Sequence, residues 1–183
     1  MNIMLSLRSK ITQKILNYFM LKPGQENYVN DLARILNLES GNLTRKLLEL
    51  EKEGILKNRW QGSQRYYSLN KDFPLLKEYK NIILKTVGFE QMLKTALKKI
   101  PGIKKAVVFG SYAQNQMDSH SDIDLLVVGN HSTVELHRSI TPVQKMVHRD
   151  INIISMSTQE YSNKKKNDSW LQSIETKKTV NLI

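Results

Sequence analysis

Within this 183-residue chain, the stretch Val107-Val-Phe-Gly-Ser-Tyr-Ala-Gln-Asn-Gln-Met-Asp-Ser-His-Ser-Asp-Ile-Asp-Leu-Leu-Val-Val-Gly129 holds the residue types and spacing that could do chemistry. An apolar run ends in Gly110-Ser111. Ten residues separate Ser111 from Asp122, and Asp124 follows at the alternate position. Glycine lets a backbone approach a ligand closely. A helix over Tyr112–Gln116 would aim free N–H groups outward, where phosphate binds well. Alternate strand residues share a face, so Asp122 and Asp124 aim at one point from backbone positions about 7 Å apart. Two such carboxylates repel unless a cation sits between them. Mg²⁺ takes carboxylate oxygen together with nucleotide phosphate. The spacing therefore predicts a metal–triphosphate site, with Gly110 and Ser111 on the nucleotide and Asp122 and Asp124 on the metal.

The elements that must position these groups alternate strand and helix. Ala106–Phe109 and Ile123–Val128 read as apolar strands, and Ile151, Ile153 and Ile154 mark a third. Ser132–Val147 reads as a helix and Thr158–Lys166 as a polar one. Trp170, Leu171 and Ile174 anchor another, with Trp170 expected in the core. Val180–Ile183 reads as a final edge strand. Asp150 and Asn152 fall on one face of the third strand, and either could lie beside the aspartate pair. The histidines, His120, His131, His137 and His148, show no zinc-ligand spacing.

The first third reads as three helices and a hairpin. Ile11, Ile15, Leu16 and Phe19 share a face, and Lys22-Pro23-Gly24 breaks that helix. Val29, Leu32, Ala33 and Leu36 repeat the helical period. Ser40 is the expected cap of a third helix with the buried stripe Leu43, Leu47 and Leu50. Gly54 ends it, and Ile55–Trp60 and Arg65–Leu69 read as paired strands around Gly62. Residues 72–100 read as helical with an interruption near Gly88. That places a boundary between residues 1–87 and 88–183.

The net charge is +11, and residues 1–87 hold 15 Lys and Arg against 8 Asp and Glu. A basic surplus of this kind attracts polyanions, nucleic acid first. There is no cysteine, so disulfides and thiolate zinc sites are excluded. No apolar run approaches the roughly 18–20 residues of a membrane span. The first residues lack the apolar segment of a secretory signal, so a cytoplasmic location is expected.

The N-terminal pattern, Val29-Asn-Asp-Leu-Ala-Arg-Ile-Leu-Asn-Leu-Glu-Ser-Gly-Asn-Leu-Thr-Arg-Lys-Leu-Leu-Glu-Leu-Glu-Lys-Glu-Gly54-Ile-Leu followed by a hairpin, resembles the winged helix-turn-helix family over about residues 6–70. The resemblance implies double-stranded DNA as partner. The third helix would offer Ser40, Asn42, Thr44, Arg45 and Lys46 to a major groove, and the hairpin Arg59, Gln64 and Arg65 to backbone or minor groove. Many such domains act as dimers, so a homodimer is a candidate assembly.

Gly-Ser, ten residues, then Asp-x-Asp between apolar strands resembles the minimal nucleotidyltransferases of the DNA-polymerase-β-type superfamily, over about residues 103–183. The resemblance implies an NTP, ATP first, held at Gly110 and Ser111, Mg²⁺ at Asp122 and Asp124, and a polar contribution from Ser121. It also implies a third carboxylate on the next core strand. Here that position is Asn152; Asp150, two residues earlier on the same strand face, is either a substitute or an exposed charge at the strand end. Gln114 and Asn115 stand where the family has a basic residue and a glycine. Members of this group pair with small all-α proteins in toxin–antitoxin systems, which makes such a toxin a candidate partner and acceptor.

The expected class is α+β: a winged helix of three helices and a hairpin, then an α/β nucleotidyltransferase domain with a mixed sheet. The leading reading is a DNA-binding protein with a Mg²⁺-dependent transferase domain, for which the resemblance makes antitoxin a candidate role. The alternative is a DNA-binding regulator whose second domain is a degenerate nucleotide sensor or dimerisation unit. Antibiotic modification shares the motif, but the appended DNA-binding module argues against it.

Overall fold

The structure, a computed structural model, describes residues 8–118 and 120–183. The chain divides into two compact units, Met1–Gly88 and Phe89–Ile183. No helix among the described residues is long and apolar enough to cross a membrane.

The first unit runs α1 (Lys10–Leu21), β1 (Glu26–Tyr28), α2 (Val29–Leu36), α3 (Ser40–Lys52), β2 (Leu56–Gln61), β3 (Gln64–Leu69) and α4 (Leu76–Thr86). Its core follows the helical period of the sequence. Ile15, Leu16 and Phe19 of α1, Leu32 of α2, and Leu43 and Leu47 of α3 are fully buried. Each such side chain contributes about 1.5–3 kcal/mol by leaving water. The three strands are antiparallel in the order β1-β3-β2. The sequence pattern gives the β2–β3 hairpin but not β1. Three residues are too few to show alternation. A side-chain bond fastens β1 instead: the buried Tyr18 hydroxyl donates to Asn27 Oδ1 at 3.0 Å. The cap of α3 also differs from expectation. Glu39, not Ser40, caps it, accepting from the amides of Gly41 and Asn42 at 2.8 Å each.

The second unit runs α5 (Phe89–Leu97), β4 (Ile103–Phe109), α6 (Gly110–Ala113), β5 (Ile123–Gly129), α7 (Thr133–Val147), β6 (Ile151–Met156), α8 (Thr158–Lys165), α9 (Ser169–Thr176) and β7 (Val180–Asn181). The sheet is mixed, in the order β6-β5-β4-β7. β5 pairs antiparallel to β4 and parallel to β6, with α7 as the crossover. All of β5 except Asp124 is buried, so both faces are covered. On one face Leu171 and Ile174 of α9 pack against Val107, Leu126 and Val128. α5 and α7 pack on each other, and α7 also contacts β6.

The helix expected over Tyr112–Gln116 is instead the single turn Gly110–Ala113. The buried side chains explain the shift: Tyr112 and Ala113 dock inward, and Gln114 already ends the turn. Trp170 is also displaced from expectation. It is 38% exposed rather than core, while its neighbour Leu171 is buried.

Candidate functional site

The site forms where the α9-covered face of the sheet runs out of apolar residues. Residues paired across strands share a face, and the register sets Phe109 opposite Asp124 and Asp124 opposite Asn152. One step inward the same rows carry Val107, Leu126 and Ile154, which are packed. The polar ends of β5 and β6 thus emerge beside the C-terminal end of β4, where the chain turns sharply at Gly110.

That turn explains the glycine. Gly110 has φ +71°, in the left-handed region. A Cβ there would lie 2.4 Å from Asp124 Oδ2. The backbone therefore passes directly over the carboxylate, leaving a cradle that any side chain would fill. Ser111 follows in the one turn of α6. Tyr112 anchors that turn. Its ring meets Phe89 edge-on at 5.2 Å and its hydroxyl donates to Glu90 at 3.0 Å. Burial, and then the Glu90 carboxylate, push that hydroxyl far above the usual tyrosine range.

Asp122 and Asp124 converge. The Asn152 amide nitrogen lies 3.4 Å from Asp122 Oδ2 and 3.5 Å from Asp124 Oδ1, two long hydrogen bonds from one donor. Asn152 thus occupies the point at which a third ligand would stand. Asp150 does not join it. It precedes β6, its carbonyl accepts from the Ile123 amide, and its exposed side chain borders a different concavity with Lys145 and His148. Among the described residues no three His, Asp or Glu side chains group to hold a metal ion. The residues that could hold a cation are therefore two carboxylates plus an amide, whose oxygen and nitrogen can exchange by rotation. Two carboxylates suit Mg²⁺, which commonly takes one or two from protein and the rest from phosphate and water.

The loop that delivers Asp122 is held by groups the sequence reading did not assign. Asp118 Oδ1 accepts from the His120 amide, the Ser121 hydroxyl and the Ser121 amide, at 2.8 Å each. Those bonds, the His120 amide foremost, hold its carboxyl below the usual range. The Ser121 hydroxyl, expected on the nucleotide, is engaged in this turn and also accepts from the Asp118 amide. Behind the turn, the buried Arg149 guanidinium donates to the carbonyls of Ser121 at 2.7 Å and Asp118 at 2.5 Å.

Residues 90–179 match the model of the nucleotidyltransferase domain family. The matched stretch is a little under half of the chain and contains Gly110, Ser111, Asp122, Asp124 and Asn152. Among solved structures, a "putative nucleotidyltransferase" from Sulfolobus solfataricus is similar at 17% identity, over 50% of this chain and 73% of that one, with a TM-score of 0.30. A likeness that loose carries no argument here. No curated protein matches the chain. The nucleotidyltransferase family match covers the element run from α5 to the end of α9, so the cradle and the acidic pair lie inside it.

In the first unit, the cations expected to meet nucleic acid are paired with acids. Arg45 and Lys46 both reach Glu49, at 3.4 and 2.5 Å. Arg59 reaches Glu26 at 2.6 Å, and Arg65 reaches Glu51 at 2.7 Å. The Thr44 hydroxyl donates to the Ser40 carbonyl, Ser40 donates to Asn30, and Gln64 accepts from Tyr66. Asn42 gives its amide to Glu39. The Glu39 carboxylate thus fills the N-terminus of α3, the end whose Ser40, Asn42 and Thr44 were expected to meet a major groove. Trp60, which the sequence reading passed over, is 64% exposed on β2 with Arg65 5.7 Å from its ring.

Proposed function

We propose that the second unit binds a nucleoside triphosphate with Mg²⁺ and transfers its nucleotide slowly. The observation that carries this is the cradle: Gly110 lies directly over a carboxylate that converges with a second one on the same point. Asp122 and Asp124 would hold the cation, and the Gly110-Ser111 backbone would take the phosphates. Mg²⁺ bound there would neutralise phosphate charge and polarise the phosphoryl oxygens.

Transfer joins an acceptor oxygen to the α-phosphorus, releases pyrophosphate and leaves one proton to dispose of. Asn152 stands beside both aspartates and cannot take that proton at neutral pH. Loss of such a base typically costs about 10²–10⁴-fold. Asn152→Asp should therefore raise pyrophosphate release by at least about tenfold, whereas Asp150→Asn should leave it unchanged. Ready wild-type turnover that Asp150→Asn abolishes would overturn this assignment. A hydroxyl on a small all-α partner protein is the acceptor class to try first.

The first unit we read as a winged helix that binds duplex DNA. Helix–turn–helix followed by an antiparallel hairpin supports it, as does the basic balance of this part of the chain. The ion pairs shift the expected contacts. Arg59 and Arg65 must exchange carboxylate for phosphate on binding, while the exposed Trp60 ring needs no such exchange. An apolar ring at a hairpin end suits a minor groove.

A further inference from the structure

We propose that Trp170 is the stacking platform for the base of the nucleotide, so that the site prefers purine over pyrimidine triphosphates. This rests on the nucleotide site proposed above.

Trp170 is the second residue of α9. That helix is fastened without its ring. Asp168 caps it, accepting from the amides of Trp170 and Leu171, and Leu171 and Ile174 are buried against β4 and β5. The indole is left 38% exposed, an unusual position for the largest side chain of a helix that already has its anchors. Its ring meets Phe109 edge to face, at 5.6 Å between centroids and 82° between planes. An edge-to-face contact occupies only part of a ring's surface, and the residue keeps 38% of its surface open to water.

Phe109 connects this ring to the chemistry. It immediately precedes Gly110 and pairs in register with Asp124. One cross-strand step of about 5 Å and one ring-to-ring separation place Trp170 on the order of 10 Å from the carboxylates. A nucleotide whose phosphates lie at Gly110 carries its base one ribose farther on, a reach of the same order. Because Phe109 pairs with Asp124 on the face that α9 covers, the aromatic pair stands on the same side of the sheet as the acidic pair. Base–aromatic stacking is tolerant of sequence but grows with ring area, which favours a purine.

The test uses the full chain, its Trp170→Ala and Trp170→Phe variants, and three titrants with Mg²⁺: ATP, CTP and inorganic tripolyphosphate. Removing a stacking ring should weaken ATP about 5- to 100-fold. CTP should weaken less, and tripolyphosphate, which has no base, should stay unchanged. Trp170→Phe should keep most of the ATP affinity. ATP should also quench a share of the wild-type tryptophan emission that is missing in Trp170→Phe, a readout taken on intact protein. Equal losses for ATP and tripolyphosphate in Trp170→Ala would make the residue a structural support and overturn the proposal. So would unchanged ATP affinity, or quenching that persists in Trp170→Phe. A wild type that binds neither ATP nor tripolyphosphate would overturn the nucleotide site itself, and this proposal with it.

Discussion

Gly110→Ala separates the cost of a strained backbone from the cost of a displaced ligand. The residue sits at φ +71°, where an L side chain costs about 1–2 kcal/mol. In a domain of this size each kcal/mol lowers Tm by about 4–8 °C, so a fall of roughly 5–15 °C is expected from strain alone. The new Cβ would also lie 2.4 Å from Asp124 Oδ2, closer than real Cβ contacts come. The carboxylate is the movable partner, so it must swing away from the point it shares with Asp122. Losing one charged contact to the bound cation is worth about 1.5–3 kcal/mol, or about 10- to 100-fold in Mg²⁺-ATP affinity. Calorimetric titration and thermal unfolding of the same preparations read the two terms. Gly62→Ala is the control, because Gly62 has φ +58° with nothing within 4 Å of the added carbon. It should show strain and unaltered nucleotide binding. Asp124→Asn added to Gly110→Ala should cost little more than either change alone, since both act on one carboxylate. Gly110→Ala that binds Mg²⁺-ATP within threefold of wild type would refute the reasoning.

Two further outcomes follow from the loop brace and the hairpin. Arg149→Met removes both donors to the Asp118–Ser121 turn and should lower Mg²⁺-ATP affinity about tenfold, with Arg149→Lys recovering part of it. Affinity that stays constant while Tm falls would reduce Arg149 to a core residue. In the first unit, Trp60→Ala should weaken duplex DNA binding about tenfold and leave its salt dependence unaltered, because an apolar contact releases no counterion. Arg59→Ala, which removes a cation expected on phosphate, should instead lower the salt slope by about one, and the same salt response in both variants would argue against an apolar contact by Trp60.

Much of this arrangement is legible in the sequence, for reasons that also mark where legibility ends. Periodicity exposes α2, α3 and α7 because each buries one face, whereas α1 is buried all round from Ile15 to Leu21. Strand alternation brings Asp122 and Asp124 together and sets Asn152 beside them, since register follows from the apolar rows of β5 and β6. Arg149 stays hidden because the carbonyls of Ser121 and Asp118 that it holds are main-chain groups, which every residue has. The pairing of Arg59 with Glu26 is hidden by a sequence separation of 33 positions. Glu39 prevails over Ser40 as the cap of α3 because the chain enters that helix one residue earlier than the serine suggests. Trp170 read as core because large aromatics usually are, and only the packing of Leu171 and Ile174 beside it shows that the helix is already anchored.

The most direct test of the metal–triphosphate site is a calorimetric titration of ATP into wild type and into the double variant Asp122→Asn, Asp124→Asn, each with Mg²⁺ and with chelator. Wild type should bind ATP with Mg²⁺ and lose at least about tenfold in affinity with chelator, and the double variant should show no difference between the two conditions. Equal wild-type affinity with Mg²⁺ and with chelator, or a double variant that keeps its dependence on Mg²⁺, would contradict the account.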